Sequence, residues 1–596
     1  MHVDHEIPPS SPPQPRSSPP EPATSGGADS RDADSRRADS GRAALPRPAR
    51  HRLRPRPRVW LLFAALGLVI VWAAIRLGPT GFVVAAWSAV SLIMFIVAAL
   101  TLSRTQFAWQ RPERVDHVDL TDQESPQVPI SLIVPARDEP VLGRTLQQIL
   151  AGEYPHELMQ ILVVVSEDEI DRETREIAQS YADRYPCVEV IAPRGDRRSK
   201  PISLEDARPY CRGDLIGVVD AESLIAAGLL GHVNTIAVRH PDVGIIQGGV
   251  QLMNIRAARK PDGASGDDPA GDPAGDPAGD PAGDPAGDPA GDPAGGSAGD
   301  PAEPQPRGRR GRRGRSGRSG PKALIARFLT WCNEGTSWWR VRNCLEYYVW
   351  FMSRLRFQAQ ARLIPLGGNT VFVRRDVLTA LGGWDATALT EDCDLGIRSS
   401  ARGVRTLVFY HPALTTREET PESLQKLVVQ RSRWMLGFIQ VLLKGDWRDL
   451  PTLRQRLLAI EMLAMPFFQA LAGLLLPTSL VLIFVLRAPV VLVLLYWLPL
   501  GIAVMLVVAE QAAFGEFRRS YRLRSTWLDS VRLVIGAPFY QLVLSAAALR
   551  ATVRLLRGQL EWEKTTHLGA HHVVPTPRDP GSRDRDLAPR GLEGVS

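Results

Sequence analysis

Cysteine is scarce in this chain, with five residues in 596 (Cys187, Cys211, Cys332, Cys344, Cys393) at spacings that form neither a metal motif nor a disulfide framework. They read as packing thiols on the reducing side of a membrane. Apolar periodicity is missing from residues 1–58, which are rich in Pro, Ser, Ala, Asp and Arg and are expected to stay disordered. The stretch from Pro575 to Ser596 has the same composition. No cleavable signal peptide is expected, because the first apolar run begins only at Val59. A nucleic-acid recognition module is absent too, so the net charge of +7 is assigned to juxtamembrane arginines and the two tails.

What the chain does have is long apolar runs. Val59–Leu77 and Gly81–Leu102 are each long enough to cross a bilayer and are split by Gly78-Pro79. Four arginines between His51 and Arg58 precede them, which places the N-terminus in the cytoplasm and makes residues 59–103 a transmembrane hairpin. A second pair, Leu457–Leu486 and Ala488–Ala509, follows residues 104–456, and the early part of its first member, with Glu461, is expected to lie in the interface. Arg518, Arg519, Arg522 and Arg524 keep the next loop cytoplasmic. A full crossing by Val531–Ala548, interrupted by Gly536-Ala537-Pro538, would put Arg550, Arg554 and Arg557 outside; four crossings in the whole chain are therefore expected, two of them within 457–557, with the fifth segment re-entrant or interfacial. Residues 558–596 form a cytoplasmic tail. The location implied is the plasma membrane, multi-pass, with the catalytic domain cytoplasmic. So few spans argue against a transporter.

Residues 128–257 alternate strand-like runs (VPISLIVP, QILVVV, Val188–Ala192, LIGVV) with helical ones (Val141–Leu150, Asp171–Tyr185). This order predicts an α/β domain with a mostly parallel sheet and helices on both faces, whose ligands bind beyond the carboxyl ends of the strands. Acidic residues stand at those ends: Asp138 and Glu139, then Glu167 and Asp168, then Asp220 and Glu222. Residues 260–320 interrupt the domain with a Gly-Asp-Pro-Ala repeat and a Gly/Arg tract. Proline at every fourth repeat position forbids helices and sheet ladders there, so a disordered insertion is expected within one catalytic domain.

Three constellations carry chemistry. Asp220-Ala221-Glu222, after an apolar strand, can place carboxylates on a divalent cation, Mg2+ or Mn2+, that bridges diphosphate oxygens. Thr390-Glu391-Asp392 follows a Gly-Gly-Trp-Asp turn and precedes a helix expected to begin near Asp394; helix capping is its structural explanation. In the functional reading, Asp392 accepts a hydroxyl proton with Glu391 beside it. Gln430-Arg431-Ser432-Arg433-Trp434 lies on a helix, with Gln430, Arg433 and Trp434 on one face. Guanidinium groups can neutralise a leaving diphosphate and the indole can stack on a sugar.

Taken in order, these blocks resemble glycosyltransferase family 2, in the membrane-integrated branch of cellulose, chitin and hyaluronan synthases, over about 128–257 and 323–445. PARDE (135–139) is similar to the nucleotide-binding first loop, implying a role for Glu139. SEDEIDRET (166–174) is similar to the second acidic loop, implying that Glu167 and Asp168 hold base and ribose. RRSKP (197–201) is similar to a segment whose lysine, here Lys200, approaches the phosphates. DAES (220–223) resembles the metal-binding Asp-x-Asp, with Glu222 where many relatives have Asp. The Asp-Asp pair usual in the second loop is missing. Trp562-Glu563-Lys564-Thr565-Thr566-His567 is similar to gating loops that close over the nucleotide, implying substrate contact by Trp562 and Thr565; an interfacial tryptophan anchor is its other reading.

The resemblance implies a GT-A-like nucleotide-sugar domain and a UDP-sugar donor. It implies an inverting hexosyltransferase, with membrane lipid around it, building a β-linked polysaccharide, and leaves room for an accessory export subunit. Single transfer to a lipid-linked acceptor is the alternative, and a non-catalytic membrane scaffold is the second.

Overall fold

The computed structural model describes residues 57–114, 119–195, 198–255, 338–485, 487, 490–523, 525–561 and 563. The N-terminal tail, the 260–320 insertion, Cys332, Trp562 and Thr565 lie outside the described residues.

Apolar runs without alternation become strands buried on both faces. β1 (Ile130–Pro135), β2 (Met159–Val164), β3 (Val188–Ile191) and β4 (Leu215–Val218) fall where the sequence predicts strands. They join β5 (Val243–Gln247), β7 (Val371–Arg374) and β8 (Arg405–Val408) in one sheet of order β3-β2-β1-β4-β7-β5-β8. β7 alone runs antiparallel, against β4 and β5; the remaining pairings are parallel, so the expected α/β class holds. β6 (Val250–Leu252) and β9 (Thr416–Glu418) form a separate parallel pair.

Two cores follow from the twofold alternation of side chains along a strand. Ile130, Leu132 and Val134 of β1 pack on the Leu142–Leu150 helix through Leu142, Leu146 and Ile149, while Ile133 faces Leu204 and Ala207 of the Lys200–Ala207 helix on the other side. The second core continues into Tyr348 and Phe351, just beyond the insertion, and into Phe514 and Phe517 of a membrane-type helix. The catalytic domain is thereby seated on the apolar helices.

Among the described residues, four helices are long and apolar enough to cross a membrane: Ile75–Gln110, Met465–Phe484, Trp497–Ser520 and Trp527–Leu556. The first belongs to a helical stretch, Pro57–Gln110, broken at Gly78 (φ 68°), where the sequence places the division between its first two apolar runs. The apolar run starting at Leu457 is divided as well: Leu453–Leu463 is a separate helix with a Thr452–Gln455 capping box, and Glu461 on it pairs with Arg104 at 2.7 Å. The fifth apolar segment lies in one continuous 30-residue helix, Trp527–Leu556, that carries Pro538 inside it.

Candidate active site

The site is a cavity of about 410 Å³ at the carboxyl ends of β1, β2 and β4, reaching down to the first turn of the Met465–Phe484 helix. One end is polar, lined by Arg137, Glu139, Asp171, Arg198, Lys200 and Asp220. The other is aliphatic, with Leu389, Met435, Met465, Pro466 and Leu544. Glu391, Asp392 and Arg433 stand in the same wall.

The acidic turn begins a helix, Glu391–Ala401, three residues earlier than the sequence suggests, so Glu391 and Asp392 occupy its first turn. Capping does not account for the motif: Thr390 stands at the N-cap without a side-chain capping bond. The Asp392 carboxylate accepts from the neighbouring Cys393 N–H (2.8 Å) through Oδ1, while Oδ2 faces Gly368 and Lys200. Burial raises the pKa of both acidic groups; Glu391, with the Asp392 charge adding to it, is pushed up to about 7. Lys200 and Arg433 pull both in the opposite direction.

The Leu424–Lys444 helix, which carries the QRSRW run, holds this turn in place. It starts at Ser423, whose side chain accepts from Lys426 N–H, and ends at Gly445 in the left-handed conformation (φ 89°) that glycine tolerates. Gln440 grips the approach to Thr390: its Oε1 accepts from Leu389 N–H (2.9 Å) and its Nε2 donates to Thr387 O (2.9 Å). Lys444 bonds Asp385 (3.0 Å) and Asp394 (2.6 Å). Between these anchors Gly437 lies directly against Thr390, where a Cβ would come within 2.9 Å of the Thr390 Cβ.

Adjacent residues on a helix point about 100° apart, and the two arginines of the motif serve different partners. Arg433 lies in the electrostatic reach of Glu391, Asp392 and Asp220. Arg431 turns away into an ion pair with Glu346 (2.8 Å) and a bond to Asn343 (2.6 Å), although its side chain still borders the cavity. It also stacks over Trp434 (4.6 Å to the ring centroid), whose other neighbour is Tyr347. Arg431 is therefore a support for Trp434, in place of the phosphate contact expected of it. Gln430 is buried and lines the cavity.

Lys200, at the start of its helix, donates to the Asp220 carboxylate and to Gly368 O (2.6 Å) and lies 4.0 Å from Glu391. Burial alone would lower its pKa, but Asp220, Glu391 and Asp392 outweigh burial and raise it. The ammonium thus bridges the DAES loop and the acidic turn.

Glu139 is buried in the wall, its N–H donating to Thr174 Oγ1 (2.8 Å). The second loop differs from expectation: Glu167 is exposed and outside the cavity lining, and Asp168 is held by Arg198 at 3.0 and 3.1 Å. Ser166 and Asp171 line the cavity instead. Asp171 ties the loops together, accepting from Ser166 Oγ and from Asp138 N–H (2.7 Å).

Glu418 and Asn369 are not among the residues expected at the site. Asn369 donates to Glu418 and to Ser223 Oγ (2.6 Å), and so joins β9 to the DAES loop. Burial, then the charges of Asp220 and Glu222, push the Glu418 carboxyl up to about 8. Among the described residues no three His, Cys, Asp or Glu side chains are gathered as a complete metal-binding group. The excess of carboxylate around Asp220 and Glu222 nonetheless fits a hard cation that takes its remaining oxygens from a diphosphate.

The model of the family described as "Glycosyltransferase like family 2" matches residues 126–437, more than half of the chain. The chain belongs to glycosyltransferase family 2. As a family member it is a hexosyltransferase with a GT-A-like α/β fold.

This glycosyltransferase is similar to the probable glycosyltransferase YdaM of Bacillus subtilis (22% identical over 325 residues, 53% of this chain and 56% of that one). It is also similar to the beta-monoglucosyldiacylglycerol synthases of Synechocystis (22% over 357 residues, 59% and 56%) and Trichormus variabilis (22% over 525 residues, 85% and 89%). The chain spans a little over half the length of the first two relatives. Among solved structures it is similar to a mannosyltransferase from Pyrobaculum calidifontis in complex with GDP-Man and Mn2+ (14% identical, 79% of this chain and 99% of that one, TM-score 0.41).

Proposed function

We propose that this glycosyltransferase moves a hexose from a UDP-sugar to a hydroxyl group of a membrane lipid, with inversion, on the cytoplasmic side of the membrane. The observation that carries the reading is the polarity of one cavity. Carboxylates and cations gather at its sheet end, aliphatic side chains from two membrane-type helices close its other end, and Asp392 stands in the wall. Three similar proteins named as beta-monoglucosyldiacylglycerol synthases, one matched over 89% of its length, support a lipid acceptor.

In this mechanism Asp392 takes the proton of the acceptor hydroxyl while its oxygen attacks the anomeric carbon. The new C–O bond forms as the bond from that carbon to the diphosphate breaks on the opposite face. Lys200 and Arg433 meet the charge that develops on the leaving diphosphate. Asp220 and Glu222 would hold Mg2+ or Mn2+, which supplies further neutralisation of the diphosphate when bound. Trp434, steadied by Arg431 and Tyr347, offers a stacking face for the sugar.

Polysaccharide extension is the second reading, favoured by Gln430, Arg433 and Trp434 all lining the cavity in the manner of the processive branch; an export subunit belongs to that reading alone. Product size separates the two. Membranes containing the chain are supplied with one labelled UDP-hexose at a time and Mn2+. An organic-extractable product carrying one sugar, cleaved by a β-glycosidase, is expected. Label retained in a high-molecular-weight polymer would overturn the lipid reading.

A further inference from the structure

The layer where the catalytic domain meets the apolar helices holds several arginines, and most are neutralised in pairs. Arg104 pairs with Glu461 (2.7 Å), Arg342 with Glu510 (2.9 Å) and Arg431 with Glu346 (2.8 Å). The same three carboxylates surround Arg354, so four arginines share three acidic groups in this layer. Arg354 itself has no ion pair among the described residues; its Nε donates to Thr105 Oγ1 (3.1 Å), and its side chain lines the cavity.

Arg354 ends a π-helical turn, Trp350–Arg354, between the Trp338–Val349 and Leu355–Gln360 helices. Such widened turns are frequent at functional sites. The turn is fixed against a membrane-type helix: Ser353 Oγ donates to Arg104 O (2.8 Å) and accepts from Ala108 N–H (3.0 Å). Arg354 is therefore at the membrane end. The acidic groups that bear on Arg433 are Glu391, Asp392 and Asp220, whereas those that bear on Arg354 are Glu346, Glu510 and Glu461. The two cations face different sets of carboxylates in one cavity, and the donor diphosphate has Arg433 and Lys200.

We propose that Arg354 is an acceptor-positioning residue, and that it binds the phosphate of a hydroxyl-bearing anionic phospholipid whose headgroup hydroxyl is the nucleophile. The proposal rests on the lipid-acceptor reading above. A half-buried guanidinium in a layer with one more cation than carboxylates is matched by an anionic ligand. A phosphate a few atoms from a hydroxyl satisfies the guanidinium with two parallel hydrogen bonds, and the acyl chains meet the aliphatic wall. A neutral diacylglycerol would leave the extra cation unmatched.

The test uses the full-length chain in phosphatidylcholine nanodiscs with either phosphatidylglycerol or diacylglycerol as the added acceptor, and a labelled UDP-hexose. The wild-type protein is expected to glycosylate phosphatidylglycerol at a lower apparent KM than diacylglycerol. Arg354→Gln is expected to raise the apparent KM for phosphatidylglycerol about tenfold, the effect of losing one charged hydrogen bond, with the donor KM moved less than about twofold. Arg354→Lys should recover part of the loss. Wild-type transfer to diacylglycerol but not to phosphatidylglycerol overturns the proposal without any variant, as does an Arg354→Gln protein with unchanged acceptor KM; either leaves the lipid reading standing. A polymeric product, or no lipid product with either acceptor, overturns that reading and the proposal with it.

Discussion

Gly437 is the point at which the QRSRW helix touches the acidic turn, and Gly437→Ala tests whether that contact sets the catalytic geometry. A methyl group there would stand 2.9 Å from the Thr390 Cβ, 2.5 Å from its Oγ1 and closer still to its Cγ2. Unstrained carbon atoms approach to about 3.5–4.0 Å, so helix and turn must separate by roughly 1 Å. Thr390 cannot swing away without moving its backbone, because its Cβ is itself too close. Overpacking of this kind costs about 1–3 kcal/mol of stability. The larger effect falls on Asp392, two residues along: a displacement of about 1 Å in a reacting group costs on the order of 100-fold in rate. Gly437→Ala should therefore lower kcat about 100-fold with a smaller change in donor KM, in an assay of labelled hexose transfer. Thr390→Gly removes all three clashing atoms and should restore at least about tenfold in the double variant, since glycine is a tolerable N-cap. A Gly437→Ala enzyme with kcat within about threefold of wild type would refute the reasoning.

Other expectations follow from the same geometry. Arg431→Gln strips Glu346 of its ion-pair partner and should destabilise the protein by about 1–3 kcal/mol, with Glu346→Gln added to it recovering part of the loss; thermal unfolding checks this. Asp171→Ala should raise the donor KM by releasing the Ser166 and Asp138 backbone, whereas Glu167→Ala should leave it unmoved; equal effects would reverse the assignment. Transfer should also fall with acid at unusually high pH. The Asp392 carboxyl is raised by burial and must be ionised to act, so its acid limb in kcat/KM lies above the ordinary aspartate range, with Glu391 titrating near 7 beside it. An acid limb within the ordinary aspartate range or below it would count against Asp392 as the base.

Much of this site is visible in the sequence because its motifs sit at strand ends and on one helix. PARDE, DAES, Lys200, the acidic turn and the QRSRW helix all reach the same cavity. The departures have local physical causes. The sequence places Arg433 on one helical face with Gln430 and Trp434 and expects Arg431 at the substrate too, but helical geometry sends the two arginines in different directions, one to Glu346 and one toward Asp392. Glu167 and Asp171 are indistinguishable as acids in a loop; the bond from Ser166 to Asp171 decides which is turned inward. Glu418 and Arg354 carry no motif, and Asn369 lies in the Pro365–Asp385 run without a role of its own assigned to it. They arrive through pairing of β9 with β6, the hydrogen bond from Asn369 to Ser223, and a π-helical turn, all of them contacts between segments far apart in the chain.

The central claim is that Asp392 is the base for hexose transfer, and the most direct measurement compares wild type with Asp392→Asn in two assays on the same membranes. The asparagine keeps the size of the side chain and the bond to Cys393 N–H but cannot accept a proton. Binding of the UDP-sugar with Mn2+, read by titration, should stay within about threefold, while transfer of label falls at least about 100-fold, the contribution of a general base. Retention of full transfer by Asp392→Asn would contradict the account.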